Sequence, residues 1–306
     1  MIDVRKLRML SALDRLGTIA AVADELHLTA PGVSMQINAF ERELGVPVTE
    51  RQGRRVVLTP AGRVLAAHGR DIVDRLSLAQ MDVEALKSGV AGHYRVGAFP
   101  SAARTIVADA WAALTVEHPG LTAELTTPEP EAALADLTSG VLDLALIHSY
   151  SNVPRELPDS ITAERVTVEP VWAAMHVDDA LATQTVDLAD LSDRHWVTPP
   201  RGTTCYDMVE RACGLAGFRP SVVAQSPDFA VLMALVNAGI GVALVPSLGI
   251  GEAPAGVALV ATRPELSRFV FAARRTAMVH DAGLDTLVTA ITSAATRRPP
   301  RRVAGR

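Results

Sequence analysis

Residues 17–45 read GTIAAVADELHLTAPGVSMQINAFERELG, and their spacing decides how the first quarter of the chain folds. Ile19, Val22 and Leu26 mark the inner face of a short helix, with Ala20, Ala21 and Ala23 allowing close packing. Thr18 is its N-cap, and Gly17 stops an earlier helix in which Leu7, Leu10, Leu13 and Leu16 recur every three residues. His27 and Leu28 make the turn. Thr29 caps a third helix, with Pro31 in its first turn, where the missing N–H costs nothing. Val33, Ile37, Phe40 and Leu44 form its inner stripe, and Gly45 closes it. This is the spacing of a helix-turn-helix, whose second helix enters the DNA major groove by its N-terminal end. An ordinary helical hairpin shares that spacing. The stretch also holds only Arg42 as a cation, so phosphate affinity has to come from its surroundings.

The following segment separates the two readings. VPVTERQGRRVVLT (46–59) alternates like a small β-hairpin about a Gln-Gly turn at 52–53, with Arg51, Arg54 and Arg55 clustered there. A hairpin beside a recognition helix is a wing, and its arginines suit phosphate or minor-groove contact. Thr59-Pro60 then opens a long helix over 59–87. Leu65, Ile72, Ala79 and Leu86, with Gly69, Leu76 and Val83 between them, form a heptad seam weakened by Gly69 and Ala79. SGVAG (88–92) reads as a hinge. A long helix between a winged reader and a hinge suits a dimer arm, which would set two readers on an imperfect palindrome in double-stranded DNA. The charge balance agrees: residues 1–88 carry 12 basic and 11 acidic residues, the remainder 17 and 23.

Residues 20–65 resemble the LysR-type transcriptional regulators. The resemblance rests on Pro31 and Ser34, on Glu43-Leu44-Gly45, on Arg54-Arg55 in the wing, and on Leu58-Thr59-Pro60-Ala61-Gly62. It implies a homotetrameric, DNA-binding, effector-responsive regulator. Two positions depart from the family pattern: Ala30 stands where glutamine is usual, and Met35 where arginine is usual. Glu41, rather than Glu43, holds the usual acidic place. The expected DNA-binding set is Thr18, Thr29, Ala30, Pro31, Ser34, Met35, Gln36, Arg51, Arg54 and Arg55. Readout should lean on Thr29, Ser34 and Gln36, on thymine methyls met by Ala30 or Met35, and on DNA shape.

From residue 93 strand and helix patterns alternate, the signature of a mostly parallel sheet. Strands are expected at 93–99, 121–127, 142–149, 195–199, 221–226, 241–246 and 268–275. Helices are expected at 103–117, 131–140, 204–217, 228–238 and 281–296. Extended segments at 165–177 are expected to break at Glu169-Pro170. ALVNAGIGVALVPS (234–247) is similar to an element of the LysR effector domain, itself similar to periplasmic binding proteins. The expected architecture is therefore an all-α winged helix-turn-helix domain (1–58) with a long dimerisation helix, followed by a two-lobed α/β effector domain (93–296). Lobe I takes 93–164 and 269–296, lobe II 165–268, and 297–306 is a disordered basic tail.

Ligands of open α/β sheets sit beyond the carboxyl ends of strands, near helix N-termini. Pro100, Ser101, Thr126, Thr127, His148, Tyr150, Arg201, Thr203, Thr204, Asp228 and Phe229 occupy such places, and Arg201 could clamp a ligand carboxylate. Cys205 and Cys213 lie eight apart. On one helix that is about 12 Å of rise, beyond disulfide reach, so two unpaired thiols are expected. A thiol-redox regulator and a cytoplasmic solute-binding protein are the alternatives. No catalytic or zinc-binding motif occurs, so neither an enzyme nor a resident metal or cofactor is expected. The N-terminus has no secretion signal and no apolar run spans a bilayer, so the expected location is the cytoplasm.

Overall fold

The computed structural model describes residues 2–52, 55–88, 91–182 and 185–297, with backbone alone for residues 55, 78, 81, 82 and 84–88. Helices α1 (Val4–Leu16), α2 (Ile19–Glu25) and α3 (Ala30–Leu44) pack around Leu7, Leu10, Leu13, Val22, Val33, Ile37 and Phe40. The caps act as the sequence indicates. Thr18 accepts from the Ala21 amide and Thr29 from the Gly32 amide, each at 3.2 Å. Gly17 and Gly45 close helices at φ 71° and 72°, a conformation that carries little cost without a Cβ. Strands β1 (Thr49–Gln52) and β2 (Arg55–Leu58) form the antiparallel wing. Gln52 pairs with Arg55 rather than forming the turn, and Gly53 and Arg54 lie outside the described residues. Glu41 fastens the wing to α3, accepting from the amides of Val48 (2.9 Å) and Thr49 (2.8 Å) and from the Thr49 hydroxyl (3.0 Å).

Helix α4 (Pro60–Ser88) leaves the wing along α1. The Ser11 hydroxyl bonds the Ala66 carbonyl at 2.8 Å, and Arg70 pairs with Asp14 at 2.8 Å. Gly69 is not a weak point of a heptad seam. It is where α4 touches α1: a Cβ there would lie 2.6 Å from Ser11 Oγ and 2.8 Å from the Leu7 carbonyl oxygen. Leu65 is likewise part of the reader's own core. The expected seam therefore divides. Its first two members face α1 and the reader, whereas Ile72, Leu76, Ala79 and Val83 are exposed, and the side chain of Leu86 is not described.

After the hinge, the chain forms β3 (Gly92–Ala98), α5 (Pro100–Ala102), a π turn (Ala103–Val107) and α6 (Ala108–Glu117). Then come β4 (Leu121–Thr126), α7 (Pro130–Ser139), β5 (Leu144–Tyr150) and β6 (Ile161–His176). Next are β7 (Val186–Asp187), a 3-10 turn (Leu188–Leu191), β8 (His195–Thr198), α8 (Thr204–Leu215) and β9 (Ser221–Gln225). α9 (Phe229–Asn237), β10 (Ala243–Pro246) and α10 (Ser247–Ile250) follow. The chain ends with β11 (Val257–Val260), β12 (Thr262–Arg263), β13 (Leu266–Arg275) and α11 (Ala282–Arg297). One seven-stranded sheet runs β10-β6-β13-β5-β3-β4, with β11 also on β6. β3 is parallel to β4 and β5, whereas β6 and β13 run antiparallel to each other. Those two long strands serve both lobes.

Glu169-Pro170 does not break β6. Opposite Pro170, Ser267 gives its amide to Ser151 Oγ and its carbonyl to the Ser151 amide, so no ladder bond is asked of the proline. The boundary expected at 164/165 also falls within β6. The strand changes partner at Val171, which faces both Leu266 of β13 and Pro246 of β10. In lobe I, α6 and α11 cover one face around Ile106, Leu144 and Leu287, and α7 covers the other around Leu137 and Ile147. In lobe II, Met208 of α8 and Val236 of α9 anchor two corresponding cores. Residues 298–306, expected as a basic tail, lie outside the described residues.

The close approach at Gly69 makes a direct test. Gly69→Ala should destabilise the protein by about 1–3 kcal/mol through overpacking. Gly214→Ala, at an exposed helical site with nothing within 4 Å of the added Cβ, should stabilise by about 0.5–1 kcal/mol. Urea unfolding of the two variants and the parent measures both.

Candidate functional site

Two sites emerge, one on the reader and one between the lobes. On α3 the inner stripe of Val33, Ile37 and Phe40 turns Pro31, Met35, Asn38 and Arg42 outward. Met35 is 70% exposed, a large apolar side chain set in solvent on the helix expected to meet bases. Thr18, Thr29 and Arg51 are exposed, Ala30, Ser34 and Gln36 are partly exposed, and the Arg55 side chain is not described. Thr18 and Thr29 spend a hydroxyl lone pair on their caps. Asn38, absent from the expected set, continues the outward stripe one turn beyond Ser34 and Met35. Its signal was available as the polar counterpart to Ile37 in the helical period.

The second site is a cavity of about 320 Å³ where the carboxyl ends of β3, β4 and β5 face those of β8 and β9. Of the expected ligand set, Pro100, Ser101, His148, Thr203, Asp228 and Phe229 line it. Five others do not. Thr126, the last residue of β4, and Thr127 are exposed, and Glu129 takes that wall. Tyr150 is buried behind Cys205, its hydroxyl 3.1 Å from Sγ. Arg201 lies over the Tyr206 ring, 5.2 Å from its centroid, so it is not a carboxylate clamp within the cleft. Thr204 joins the lobes instead of facing a ligand: its hydroxyl donates to Glu131 at 2.5 Å and accepts from Arg155 at 2.7 Å.

Arg268 lines the floor of the cavity and is held from behind by a buried ion pair with Glu169. Arg268 of β13 is 1% exposed and Glu169 of β6 is 3% exposed, with nitrogen and oxygen 2.6 Å apart. Arg268 also donates to Ser101 Oγ at 3.1 Å and lies 4.8 Å from the Phe99 ring centroid. The second carboxylate oxygen of Glu169 accepts the Leu248 amide at 2.5 Å. Ser101 in lobe I is thus tied through Arg268 and Glu169 to Leu248 in lobe II. An arginine opening the apolar run FVFAA (269–273) was the sequence signal for this pair, but its partner lies 99 residues away.

Burial shapes the other titratable groups. It holds the His148 imidazole well below its ordinary range, aided by the charges of Arg268 and Arg155, so the ring is neutral. The ring stands edge-on to Phe99 and Tyr150. Burial likewise pushes the Cys205 thiol up to about 11 and the Cys213 thiol up to about 12. At the other end of β13, Arg275 reaches Asp74 of α4, with contacts at 2.5 and 3.3 Å, and donates to the carbonyls of Leu137 and Leu142. Arg268 and Arg275 lie about 23 Å apart along one strand at ~3.3 Å per residue. Among the described residues, no cluster of three or more His, Cys, Asp or Glu could hold a metal, and no helix is long and apolar enough to cross a membrane.

Known proteins share this arrangement. The family model for the lysR-family bacterial regulatory helix-turn-helix protein matches residues 4–63, and that for the LysR substrate binding domain matches residues 87–296. The chain is 29% identical to the uncharacterized HTH-type transcriptional regulator YnfL of Escherichia coli, with 80% of this chain and 82% of YnfL covered. It is 28% identical to the transcriptional dual regulator GltC of Bacillus subtilis, covering 82% of each. Its fold matches a full-length OxyR variant from Pseudomonas aeruginosa with a TM-score of 0.76 at 20% identity, over 99% of both chains. A reader with a wing, a long connecting helix and a cleft between two α/β lobes occur here in one polypeptide, matched along nearly its whole length: the chain belongs to the LysR family of transcriptional regulators.

Proposed function

We propose that the protein is a sequence-specific DNA-binding transcriptional regulator, and that a small organic effector between its lobes sets the placement of its readers. The observation that carries this reading is the outward stripe of α3, flanked by Arg51 on a wing that Glu41 fixes in place. Double-stranded DNA, in an imperfect palindrome, is the partner this geometry suits. The exposed Ile72, Leu76, Ala79 and Val83 of α4 supply an apolar face for a second copy, and pairing of such dimers would give the homotetramer.

Effector occupancy reaches α4 through β13 in this proposal. The strand holds the cleft floor by Arg268 and grips α4 by Arg275 and Asp74. Closing the lobes on a ligand moves the crossing strands, and the buried clamp carries that displacement into the helix. The thiol-redox alternative loses support on two grounds. Cys205 and Cys213 lie on one unbroken helix, and burial keeps both thiols protonated.

Three measurements test these statements. In selection from random DNA, Ala30→Gln should enrich adenine and Met35→Arg guanine at one position each, because these side chains make bidentate contacts to those bases. Unchanged preferences would remove α3 from the bases. Arg51→Ala should weaken binding to all sequences alike and lower the salt slope by about 0.9. Iodoacetamide should label the folded protein slowly at about pH 8, where a thiol with a pKa near 11 is only about one part in a thousand thiolate, and the Cys205 rate should climb tenfold per pH unit, disappearing in C205S. Rapid labelling of Cys205 at neutral pH would restore the redox reading.

A further inference from the structure

One group in the cleft is left unanswered by the fold. Glu129 lines the cavity wall immediately before α7, is partly buried, and makes no cap bond with its side chain. Its two acidic neighbours are satisfied. Glu131 has Arg155 at 2.7 Å and the Thr204 hydroxyl, and Glu169 has Arg268 and the Leu248 amide. The Glu129 carboxylate has no hydrogen bond or ion pair among the described residues, although the backbone carbonyl accepts the Ala133 amide. Burial, reinforced by the nearby charge of Glu131, raises its pKa, with Arg268 acting in the opposite sense. A carboxylate in that setting favours a cation as its partner.

Groups of the opposite kind share the cavity. Ser101, 6% exposed, accepts from Arg268, and among the described residues its own hydroxyl proton has no acceptor. That proton is available to an oxygen entering the cleft. Arg104 lines the same wall, and among the described residues its side chain makes a single hydrogen bond, to the Gly249 carbonyl at 3.2 Å. Much of the remaining lining is apolar, with Phe99, Pro199, Pro200 and Phe229.

We propose that the effector is a zwitterion, an α-amino acid with an apolar side chain, whose ammonium group is held by Glu129 and whose carboxylate is held by Ser101 and Arg104. The size agrees, since the cavity lies at the small end of ligand pockets. This inference rests on the reading of the cleft as the effector site.

Matched sets of probes test it on the full-length protein. L-phenylalanine is compared with 3-phenylpropanoate and phenethylamine, and L-leucine with 4-methylpentanoate and isopentylamine, by thermal shift and calorimetric titration up to millimolar concentration. A zwitterion from these sets should raise the melting temperature, while the acid and the amine alone should not. E129Q, with E129A as the second variant, should weaken the amino acid by about tenfold or more, the range expected for losing a charged partner. Ser101→Phe, which fills the cleft, should abolish binding, and Pro227→Trp, at a proline that lines the cavity from the other lobe, repeats that block. If the deaminated acids bind as well as the amino acids and the blocking variants abolish both, the cleft is the effector site and the zwitterion is wrong. The zwitterion is equally wrong if E129Q leaves the amino-acid titration unchanged, or if no probe binds. If amino acids bind and the blocking variants bind them undiminished, the reading of the cleft itself fails.

Discussion

A guanidinium and a carboxylate buried side by side, Arg268 and Glu169, fix the geometry between the lobes. Taking two charges out of water is expensive, and their attraction returns the cost only if distance and remaining hydrogen bonds are right. Every remaining bond of this pair is therefore a constraint on the fold. Ser101 and the Leu248 amide must both be in reach, and one belongs to each lobe. The pair is better understood as a device that specifies where two strands cross than as a source of stability. Around it the cleft can be built from short loops, because the crossing point is already set.

The same strand that carries Arg268 ends in Arg275, and there the logic is repeated at a domain junction. Asp74 is pulled out of water by its position under lobe I, which alone would raise its pKa, and Arg275 offsets part of that. Asp143 serves as a second carboxylate, 3.5 Å from Arg275 and bonded to Arg95. A helix that belongs to the DNA reader is thus held by an arginine that belongs to the effector domain. Both ends of β13 are pinned by charge, one beneath the ligand cavity and one on the helix leading to DNA.

The reader was legible in the sequence because its determinants are local. Caps at Thr18 and Thr29, glycines at 17 and 45 and a four-residue apolar period need no partner far along the chain. The heptad reading of α4 failed at Gly69 for the opposite reason. Spacing cannot tell a helix that meets another copy from one that meets its own α1, and a glycine serves close approach in both. Pro170 misled in a similar way, because the ladder bond it lacks is supplied to Ser267 by Ser151, a residue 116 positions away. In the cleft, the residues at strand ends and helix caps were found, since topology puts them there. Glu129 and Arg268 were not, because only the folded arrangement shows which charges are left without a partner and which are buried with one. Arg201 was expected from its loop at a strand end and its guanidinium, and Tyr206 holds it elsewhere.

The thinly charged surface of α3 has a consequence for how such a protein would move through a genome. With Met35 in place of a cation and Arg42 the one basic residue on the helix, α3 adds little sequence-independent grip of its own, and that part of the attraction falls to the wing. Sliding along random duplex depends on that unspecific attraction. A reader whose unspecific attraction comes from the wing alone would leave a wrong site sooner than one whose recognition helix also carried cations. Brief residence at incorrect sites would then add to fidelity alongside the fit to the correct one.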